Sequence, residues 1–322
     1  MDVMFYEVFK EEELLLRAKL SKKIKAKFTH KTIQEFLSRT PPAPLICIRT
    51  QSIIPRQWAK QIRGVLTRSQ GFDHLIKYRQ ETKGRIACGY LGHYCDNAVA
   101  EHAVMAMMML FKKVKKQIKN FETFDRDGLM GSECLGRKTL VVGVGNIGSR
   151  LVSLTEALGM EARGVDIKRS VKKLRYVPLN QGVPWADCIF CALPLTDQTR
   201  GMLNYQILKR IKPGAIFVNI SRGEISPIKD LDRLLKEERL GGLSLDVFEN
   251  ESDLAVRLRN SRRRKSRPVN LIKTLQKRDD VIFTPHNAFN TSEGLEAKAN
   301  QTVRSIVCFL SRKKFPHPVP EA

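Results

Sequence analysis

The sequence lacks the features of a membrane-spanning or secreted protein. Its longest apolar runs, residues 103–111 and 140–144, are far shorter than the roughly 20 residues that cross a bilayer. The N-terminus, MDVMFYEVFKEEE, is acidic where a secretory signal would be basic, and no apolar signal core follows it. We therefore expect a cytoplasmic protein without a membrane span.

Cysteine is too scattered to form a disulfide framework. The chain has seven cysteines, an odd number, and only Cys188 and Cys191 are close in sequence. They lie in the apolar run CIFCALP with no second pair beside them, which favours a buried strand over a metal or redox site. We predict reduced thiols and no bound metal.

Acidic residues are scarce relative to basic ones, 33 against 57, so the net charge is +24. Three segments without any acid hold most of this excess: residues 17–31 and 257–267 carry seven basic residues each, and residues 112–119 carry five. Without those 19 charges the chain would carry only +5, so the basicity describes local patches rather than the whole fold. Nucleic acid, a membrane surface or solubility alone would explain such patches.

Length and hydropathy predict an α/β protein of two domains. A chain of 322 residues with 42% hydrophobic and 28% charged residues is long enough for two cores. Short apolar stretches alternate with helical patterns in the first hundred residues, and continuous apolar stretches, typical of strands buried on both faces, follow from residue 139. We predict strands over 3–6, 45–49, 64–68, 86–90, 139–144, 163–166, 188–193, 215–221, 242–248 and 281–286, and a clear helix over 98–119.

The motif GVGNIG at residues 143–148 follows a predicted strand and opens a helix, which is typical of a dinucleotide-binding turn. Its first glycine permits the tight turn, the second lets the backbone approach a pyrophosphate, and the third lets helix and strand pack closely. Asp166 follows 18 residues after the last glycine, near the spacing of an acid that binds ribose hydroxyls. Because this carboxylate would repel a 2′-phosphate, we predict NAD rather than NADP, a preference that Lys168 and Arg169 would soften.

Three later strand ends carry groups suited to carbonyl chemistry: Arg222, Glu251 and His286. In a doubly wound sheet, ligands bind outside the carboxyl ends of the strands. Arg222 would bind a substrate carboxylate in a forked geometry and polarise the carbonyl, and His286 would donate the proton that accompanies hydride transfer. Glu251 beside His286 would orient the ring and favour its charged form. This set predicts hydride transfer between NAD(H) and a 2-oxo acid.

Together these motifs resemble those of the D-isomer-specific 2-hydroxyacid dehydrogenase family. The resemblance covers residues 45–310 and rests on GVGNIG with Asp166, ALPLT (192–196), VNISRGEI (218–225), LDVFENE (245–251) and TPHNAF (284–289) in that order. The HNAF form is similar to the D-lactate dehydrogenase branch. The resemblance implies an NAD-dependent oxidoreductase with Arg222, Glu251 and His286 as its catalytic residues. Pyruvate is the first candidate substrate, and larger 2-oxo acids stay open.

The same resemblance implies the remaining site residues. A loop containing Gln70 and Gly71 would bind the substrate carboxylate, and Tyr94 would lie over the substrate, with Asp96 standing where the family commonly has proline. The implied NAD-binding residues are Gly143, Gly145, Asn146, Ile147, Gly148, Asp166, Leu193, Pro194, Thr199, Ile220, Ser221, Arg222 and Asp246, the last on the nicotinamide amide.

The resemblance further implies a split fold and a homodimer. A flavodoxin-like substrate domain would comprise residues 1–98 plus 292–322, with a Rossmann NAD-binding domain, residues 99–291, inserted in it. The substrate would bind in the cleft between the domains, and the cofactor domains would form the dimer interface. No membrane partner is expected.

Two other functions are compatible with parts of the sequence. The family includes NAD-sensing transcriptional co-repressors, and the basic segment 257–267 would suit contact with nucleic acid or another polyanion, although the intact Arg-Glu-His set argues against a purely regulatory role. A phosphite dehydrogenase-like enzyme is the second alternative, but that relative has lysine where this chain has Gln70. The role of residues 252–280 stays open.

Overall fold

The computed structural model describes residues 1–83, 86–259 and 266–320. The chain divides into two compact units, here called the terminal unit (Met1–Cys95 with Asn290–Ala322) and the inserted unit (Asp96–Phe289). Within the described ranges, no helix is long and apolar enough to cross a membrane. Residues 260–265 of the basic segment 257–267, considered above as a polyanion contact, lie outside the described residues.

Strands and helices alternate along both units. The strands are β1 (Val3–Phe5), β2 (Ala26–Phe28), β3 (Leu45–Ile48), β4 (Gly64–Thr67), β5 (Ala87–Gly89), β6 (Lys138–Val142), β7 (Glu161–Val165), β8 (Arg175–Tyr176), β9 (Cys188–Cys191), β10 (Ala215–Asn219), β11 (Leu240–Leu245) and β12 (Val281–Phe283). The α-helices are α1 (Lys10–Lys19), α2 (Ile33–Phe36), α3 (Asp73–Glu81), α4 (Asp96–Phe111), α5 (Val114–Asn120), α6 (Asn146–Ala157), α7 (Leu179–Gly182), α8 (Tyr205–Leu208), α9 (Ile228–Lys236), α10 (Glu251–Arg259), α11 (Arg267–Gln276) and α12 (Ser292–Arg312). Short 3-10 helices cover Arg56–Lys60 and Gly223–Ile225.

The terminal unit is built on a five-stranded sheet in the order β2-β1-β3-β4-β5, with every ladder parallel. This is the flavodoxin-like strand order. All residues of β1, β3 and β4 are buried, as expected for strands covered on both faces. The C-terminal helix α12 returns to this unit and packs against α1 and β4.

The inserted unit is built on a seven-stranded parallel sheet in the order β12-β11-β10-β9-β6-β7-β8. Counted from β6, the order is that of a Rossmann fold with one added strand. The chain leaves β6 toward β7 on one side and later returns to β9 on the other, so the strand order reverses at β6. Ligands of such sheets bind at this reversal. The predicted α/β class with two doubly wound parallel sheets is confirmed.

Three local features differ from the sequence prediction. The helix predicted over 98–119 is two helices, α4 and α5, separated at Lys113, whose φ is +52°. The break lets Lys115 reach the segment that joins α11 to β12, where its Nζ donates to the carbonyl oxygens of Arg278 (2.6 Å) and Val281 (3.0 Å). The short strands β2 and β8 were not predicted, and β10 and β12 end two or three residues earlier than predicted because the chain turns there into the site loops.

Candidate active site

The glycine turn after β6 contains two glycines that the protein itself requires. Gly143 has a φ of +96°, and a Cβ there would lie 2.7 Å from the carbonyl carbon of Ala192. A Cβ on Gly148 would lie 1.9 Å from the Gly143 oxygen. Gly145 differs, because it is exposed and an added Cβ would meet no atom within 4 Å. A glycine that the fold itself does not require is expected where a ligand approaches the backbone closely.

Helix α6 begins immediately after this glycine, with Gly145 as its N-cap and Asn146 and Ile147 as its first residues. Gly145 has no side chain to cap the first turn. The N–H groups of that turn and the positive end of the helix dipole suit a pyrophosphate. The turn and helix therefore fit the phosphates of a dinucleotide.

Asp166, directly after β7, is fixed against the glycine turn. Its Oδ2 accepts from the Val144 N–H at 2.6 Å and its Oδ1 accepts from the Lys168 N–H at 2.8 Å. Each carboxylate oxygen has a second lone pair, so both can still accept from ribose hydroxyls. The adjacent Ile167 is 98% exposed, an apolar side chain that sequence reasoning did not select.

The loop after β9 contains Leu193, Pro194 and Thr199. The Thr199 hydroxyl accepts from the Thr196 N–H at 2.8 Å and donates to the Pro194 carbonyl at 2.6 Å, so this side chain shapes the loop. Leu193 is half-buried and Pro194 is exposed. The loop thus combines the apolar Leu193 and Pro194 with exposed polar residues over 196–198 at the carboxyl end of β9, next to the glycine turn.

Arg222 is positioned by Asn219, the fully buried last residue of β10, which sequence reasoning missed. Asn219 Oδ1 accepts from the Ser221 N–H at 2.9 Å, and its Nδ2 donates to the Arg222 carbonyl at 2.9 Å. The half-buried Arg222 guanidinium donates to the Ser221 carbonyl at 2.8 Å. Ile220 is buried, so the loop is anchored on both sides of Ser221. A polar residue ending an apolar strand was the available sequence signal.

Glu251 and His286 are in direct contact. His286 Nδ1 lies 2.8 Å from both carboxylate oxygens of Glu251, and the two side chains are only 17% and 16% exposed. Because a carboxylate only accepts, the imidazole carries its proton on Nδ1. Nε2 is then the ring nitrogen that can exchange a proton with a reactant. His286 also has a φ of +51°, in the left-handed region that favours glycine, and backbone strain of this kind is one feature that clusters at active sites.

Asp246, which follows β11 and is 2% exposed, organises the turn that carries His286. Its Oδ1 accepts from the Asn287 N–H at 2.8 Å, and its Oδ2 accepts from the Ala288 N–H at 3.0 Å. Its carbonyl oxygen accepts from the His286 N–H at 2.8 Å. The chain after β12 therefore wraps around Asp246, and this arrangement sets the direction of the His286 ring.

Strand order brings the three proposed catalytic residues to one edge of the inserted unit. Arg222, Glu251 and His286 follow β10, β11 and β12, which are neighbours and parallel, so their carboxyl ends lie side by side. The glycine turn follows β6 at the same edge. This edge therefore combines a dinucleotide cradle with a guanidinium and an imidazole–carboxylate pair.

The proposed substrate residues Gln70, Gly71 and Tyr94 belong to the terminal unit. Ser69 Oγ donates to the Gly71 carbonyl at 2.8 Å, and Gln70 Oε1 accepts from the Cys95 thiol at 2.9 Å. These contacts hold a tight loop at the carboxyl end of β4. Burial raises the pKa of the Tyr94 hydroxyl well above its usual range, so this group stays protonated as a hydrogen-bond donor.

Comparison with known proteins identifies the family of the chain. Residues 102–288 match the family model "D-isomer specific 2-hydroxyacid dehydrogenase, NAD binding domain". The chain is 30% identical over 222 residues to D-lactate dehydrogenase of Escherichia coli, covering 66% of each chain. It is 29% identical over 267 residues to glyoxylate reductase of Pyrococcus furiosus, covering 78% of this chain and 74% of that protein.

A solved structure shows the same architecture over nearly the whole chain. D-Lactate dehydrogenase of Aquifex aeolicus, solved with NAD and lactic acid, has a TM-score of 0.86 and 26% identity, with 98% of this chain and 99% of that chain covered. The family and the NAD cofactor predicted from the motifs are confirmed. The chain belongs to the D-isomer specific 2-hydroxyacid dehydrogenases, NAD-dependent oxidoreductases, and contains their NAD-binding domain.

Proposed function

We propose that the protein interconverts a 2-oxo acid and its D-2-hydroxy acid with NAD(H), and that pyruvate and D-lactate are its substrate pair. The observation that carries this proposal is the contact of 2.8 Å between His286 Nδ1 and the Glu251 carboxylate. It fixes the proton of the ring on one nitrogen and leaves the other for a carbonyl oxygen. Glu251 orients the ring and stabilises its positive charge.

Arg222 supplies the charge that a 2-oxo acid requires. Its guanidinium binds the substrate carboxylate in a forked geometry and draws electron density from the carbonyl, which lowers the cost of negative charge on oxygen. The doubly protonated ring of His286 then donates its Nε2 proton to that oxygen, and in the reverse direction Nε2 takes the proton back. NADH supplies the hydride when it is bound.

The resemblance assigns further substrate contacts to Gln70, Gly71 and Tyr94, and we include them in this proposal. The N–H groups of Gln70 and Gly71 bind the carboxylate, and the protonated Tyr94 hydroxyl donates to the substrate. The tight Ser69–Gly71 contact supports this role, because it holds the loop in one shape before substrate arrives. Tyr94 and the HNAF form at residues 286–289 support pyruvate as the substrate.

NAD binding is assigned to the cradle described above. The α6 N-terminus binds the pyrophosphate, Asp166 accepts from the ribose hydroxyls, and Asp246 accepts from the nicotinamide amide. Leu193, Pro194 and the exposed Ile167 flank the adenosine as apolar surface. The carboxylate of Asp166 favours NAD over NADP by repulsion of a 2′-phosphate.

We also propose a homodimer formed through the inserted unit. Its segment 118–135 exposes five large apolar side chains: Ile118 (68%), Phe121 (74%), Phe124 (68%), Met130 (87%) and Leu135 (76%). Monomers rarely leave so much apolar surface together in water. A second copy of the same surface is the simplest cover for it.

The direct test is NADH consumption with pyruvate, 2-oxobutyrate, 2-oxoisocaproate, phenylpyruvate and glyoxylate, followed by chiral analysis of the product. We expect the D-isomer and the highest kcat/KM with pyruvate. NADH binding without turnover of any 2-oxo acid would contradict the dehydrogenase proposal. A larger preferred acid would contradict only the choice of pyruvate.

A further inference from the structure

His102, on helix α4, reaches the turn that carries His286. Its Nε2 lies 3.1 Å from the Thr284 hydroxyl and 3.9 Å from Asp246 Oδ1, and its side chain is 16% exposed. His102 and Thr284 are 182 positions apart in sequence. His102, from helix α4, therefore contacts Thr284, which itself holds Asp246, and its side chain is largely shielded from solvent.

The protons of this cluster can be assigned. The Thr284 hydroxyl lies 2.6 Å from Asp246 Oδ1, and the carboxylate oxygen can only accept, so Thr284 donates its single proton there. The hydroxyl is then left with lone pairs toward His102, so His102 Nε2 must carry a proton and donate it. His102 Nε2–H therefore donates to the Thr284 hydroxyl oxygen, and the Thr284 hydroxyl donates to Asp246 Oδ1.

This series of hydrogen bonds leaves the two carboxylate oxygens of Asp246 with different numbers of donors. Oδ1 accepts from two protein groups, the Thr284 hydroxyl and the Asn287 N–H, whereas Oδ2 accepts from the Ala288 N–H. A carboxylate oxygen accepts about two hydrogen bonds in the carboxylate plane, so Oδ2 is the oxygen with remaining capacity. Cooperative polarisation through Thr284 also fixes the carboxylate plane.

We propose that His102 is a positioning residue that acts through Thr284 to hold Asp246 with Oδ2 directed to the carboxamide N–H of the nicotinamide. This inference rests on the proposed role of Asp246 toward NAD and assigns that role to a specific oxygen. A carboxamide donates to Oδ2, whereas a methyl ketone at the same ring position has no proton to donate. The relay therefore sets selectivity for the carboxamide of the cofactor, and His102 itself touches no reacting atom.

The test is fluorescence titration of NADH and of its reduced 3-acetylpyridine analogue, without any 2-oxo acid. We expect the parent to bind NADH more tightly than the analogue. His102→Leu should weaken NADH binding about tenfold or more, the range for loss of one hydrogen bond to a charged group, and leave analogue binding nearly unchanged. His102→Gln, which can still donate at a similar reach, should restore most of the difference.

A double-mutant cycle with Thr284→Val shows whether the two residues act as one relay. The combined variant should lose no more NADH selectivity than either single variant, because each breaks the same chain. His30→Leu, a change at an exposed histidine of the terminal unit, is the matched control and should bind like the parent. Thr284→Val carries the same expectation if His102→Leu does not fold.

Three results would overturn the relay: equal weakening of both cofactors in His102→Leu, parental NADH affinity in that variant, or no rescue by His102→Gln. The cofactor titration needs no turnover, so it separates this inference from the proposed function. If no 2-oxo acid is reduced while the selectivity changes as expected, the dehydrogenase proposal fails and the relay stands. Absence of NADH binding by the parent would overturn both.

Discussion

Lys298 and Glu12 form an ion pair of 2.7 Å with both side chains fully buried in the terminal unit. Arg68, also fully buried, donates from Nε to the same Glu12 oxygen at 3.0 Å. Two cations therefore share one carboxylate. Burial lowers the pKa of Lys298 to about 7 despite the attraction of Glu12, and Arg49 and Arg68 add to the decrease. Burial opposes ionisation of Glu12, but Arg68 and Lys298 prevail and lower its pKa.

This cluster predicts a stability that rises with pH above neutrality. The pKa of Lys298 is about 7 in the folded chain and near its ordinary 10.5 in the unfolded chain, so the unfolded state binds more protons between those values. The loss of stability caused by burying the charged Lys298 is complete below pH 7 and decreases as the pH rises toward 10.5. Lys298→Met should flatten this rise in urea unfolding measured from pH 7 to pH 9.

The same cluster predicts opposite changes in stability when its lysine and its glutamate are replaced. Lys298→Met leaves a balanced Glu12–Arg68 pair and removes the buried ammonium, so it should raise the free energy of unfolding at pH 7. Glu12→Gln leaves two buried cations without a carboxylate and should cost about 3–5 kcal/mol. Loss of stability in Lys298→Met, or unchanged stability in Glu12→Gln, in the same urea series would refute this description of the cluster.

Loss of the carboxylate next to His286 should reduce turnover without loss of cofactor. We expect Glu251→Gln to lower kcat by up to about 10,000-fold, since an amide no longer fixes which ring nitrogen carries the proton. His286→Asn should lower it about 100- to 10,000-fold, the usual contribution of a general acid. Steady-state kinetics with pyruvate and NADH titration would measure both effects.

Asp253→Asn is the matched control for Glu251→Gln. Asp253 is an acid of the same helix, α10, but it is 62% exposed and pairs with Arg257. This variant should retain parental kcat. Equal kinetics of the Glu251 and Asp253 variants would remove Glu251 from the mechanism.

The sequence was sufficient to predict the elements whose signals are local. The glycine motif at 143–148, the continuous apolar strands and the family motifs were enough to predict both sheets, the NAD cofactor and the family. The break within a helix and the short strand at a sheet edge were harder to predict. Helices α4 and α5 separate at Lys113, with no proline or glycine to mark the break, and β8 is only two residues long at a sheet edge.

Contacts between distant residues could not be read from the sequence. His102, Thr284 and Asp246 meet only because α4 packs beside β10, β11 and β12. The same is true of Glu12, Arg68 and Lys298, each an ordinary surface residue by type. The sequence contains no periodic pattern that would pair them, so tertiary packing alone decides these contacts.

The glycines of the turn should separate ligand binding from folding. Gly145→Ala adds a Cβ that meets no protein atom within 4 Å, so we expect parental thermal stability and NADH affinity reduced about tenfold or more. Gly148→Ala places a Cβ 1.9 Å from the Gly143 oxygen and should lower stability by about 1–3 kcal/mol. Thermal melts and NADH titrations test both variants. Parental NADH affinity in Gly145→Ala would show that the pyrophosphate of the cofactor does not approach the backbone at Gly145.

The apolar segment 118–135 should form the dimer interface. Phe121 and Phe124 are neighbours, with ring centroids 6.3 Å apart, and both are mostly exposed in the single chain. Phe121→Ser with Phe124→Ser removes two aromatic anchors, so sedimentation equilibrium should show self-association weakened at least about tenfold. Leu37→Ser, a change at an 83% exposed apolar residue of the terminal unit, should leave the dimer intact. A parent that sediments as a monomer at all concentrations, or a dimer disrupted only by Leu37→Ser, would exclude this interface, because the cover of the segment 118–135 would then have to be something other than a second copy.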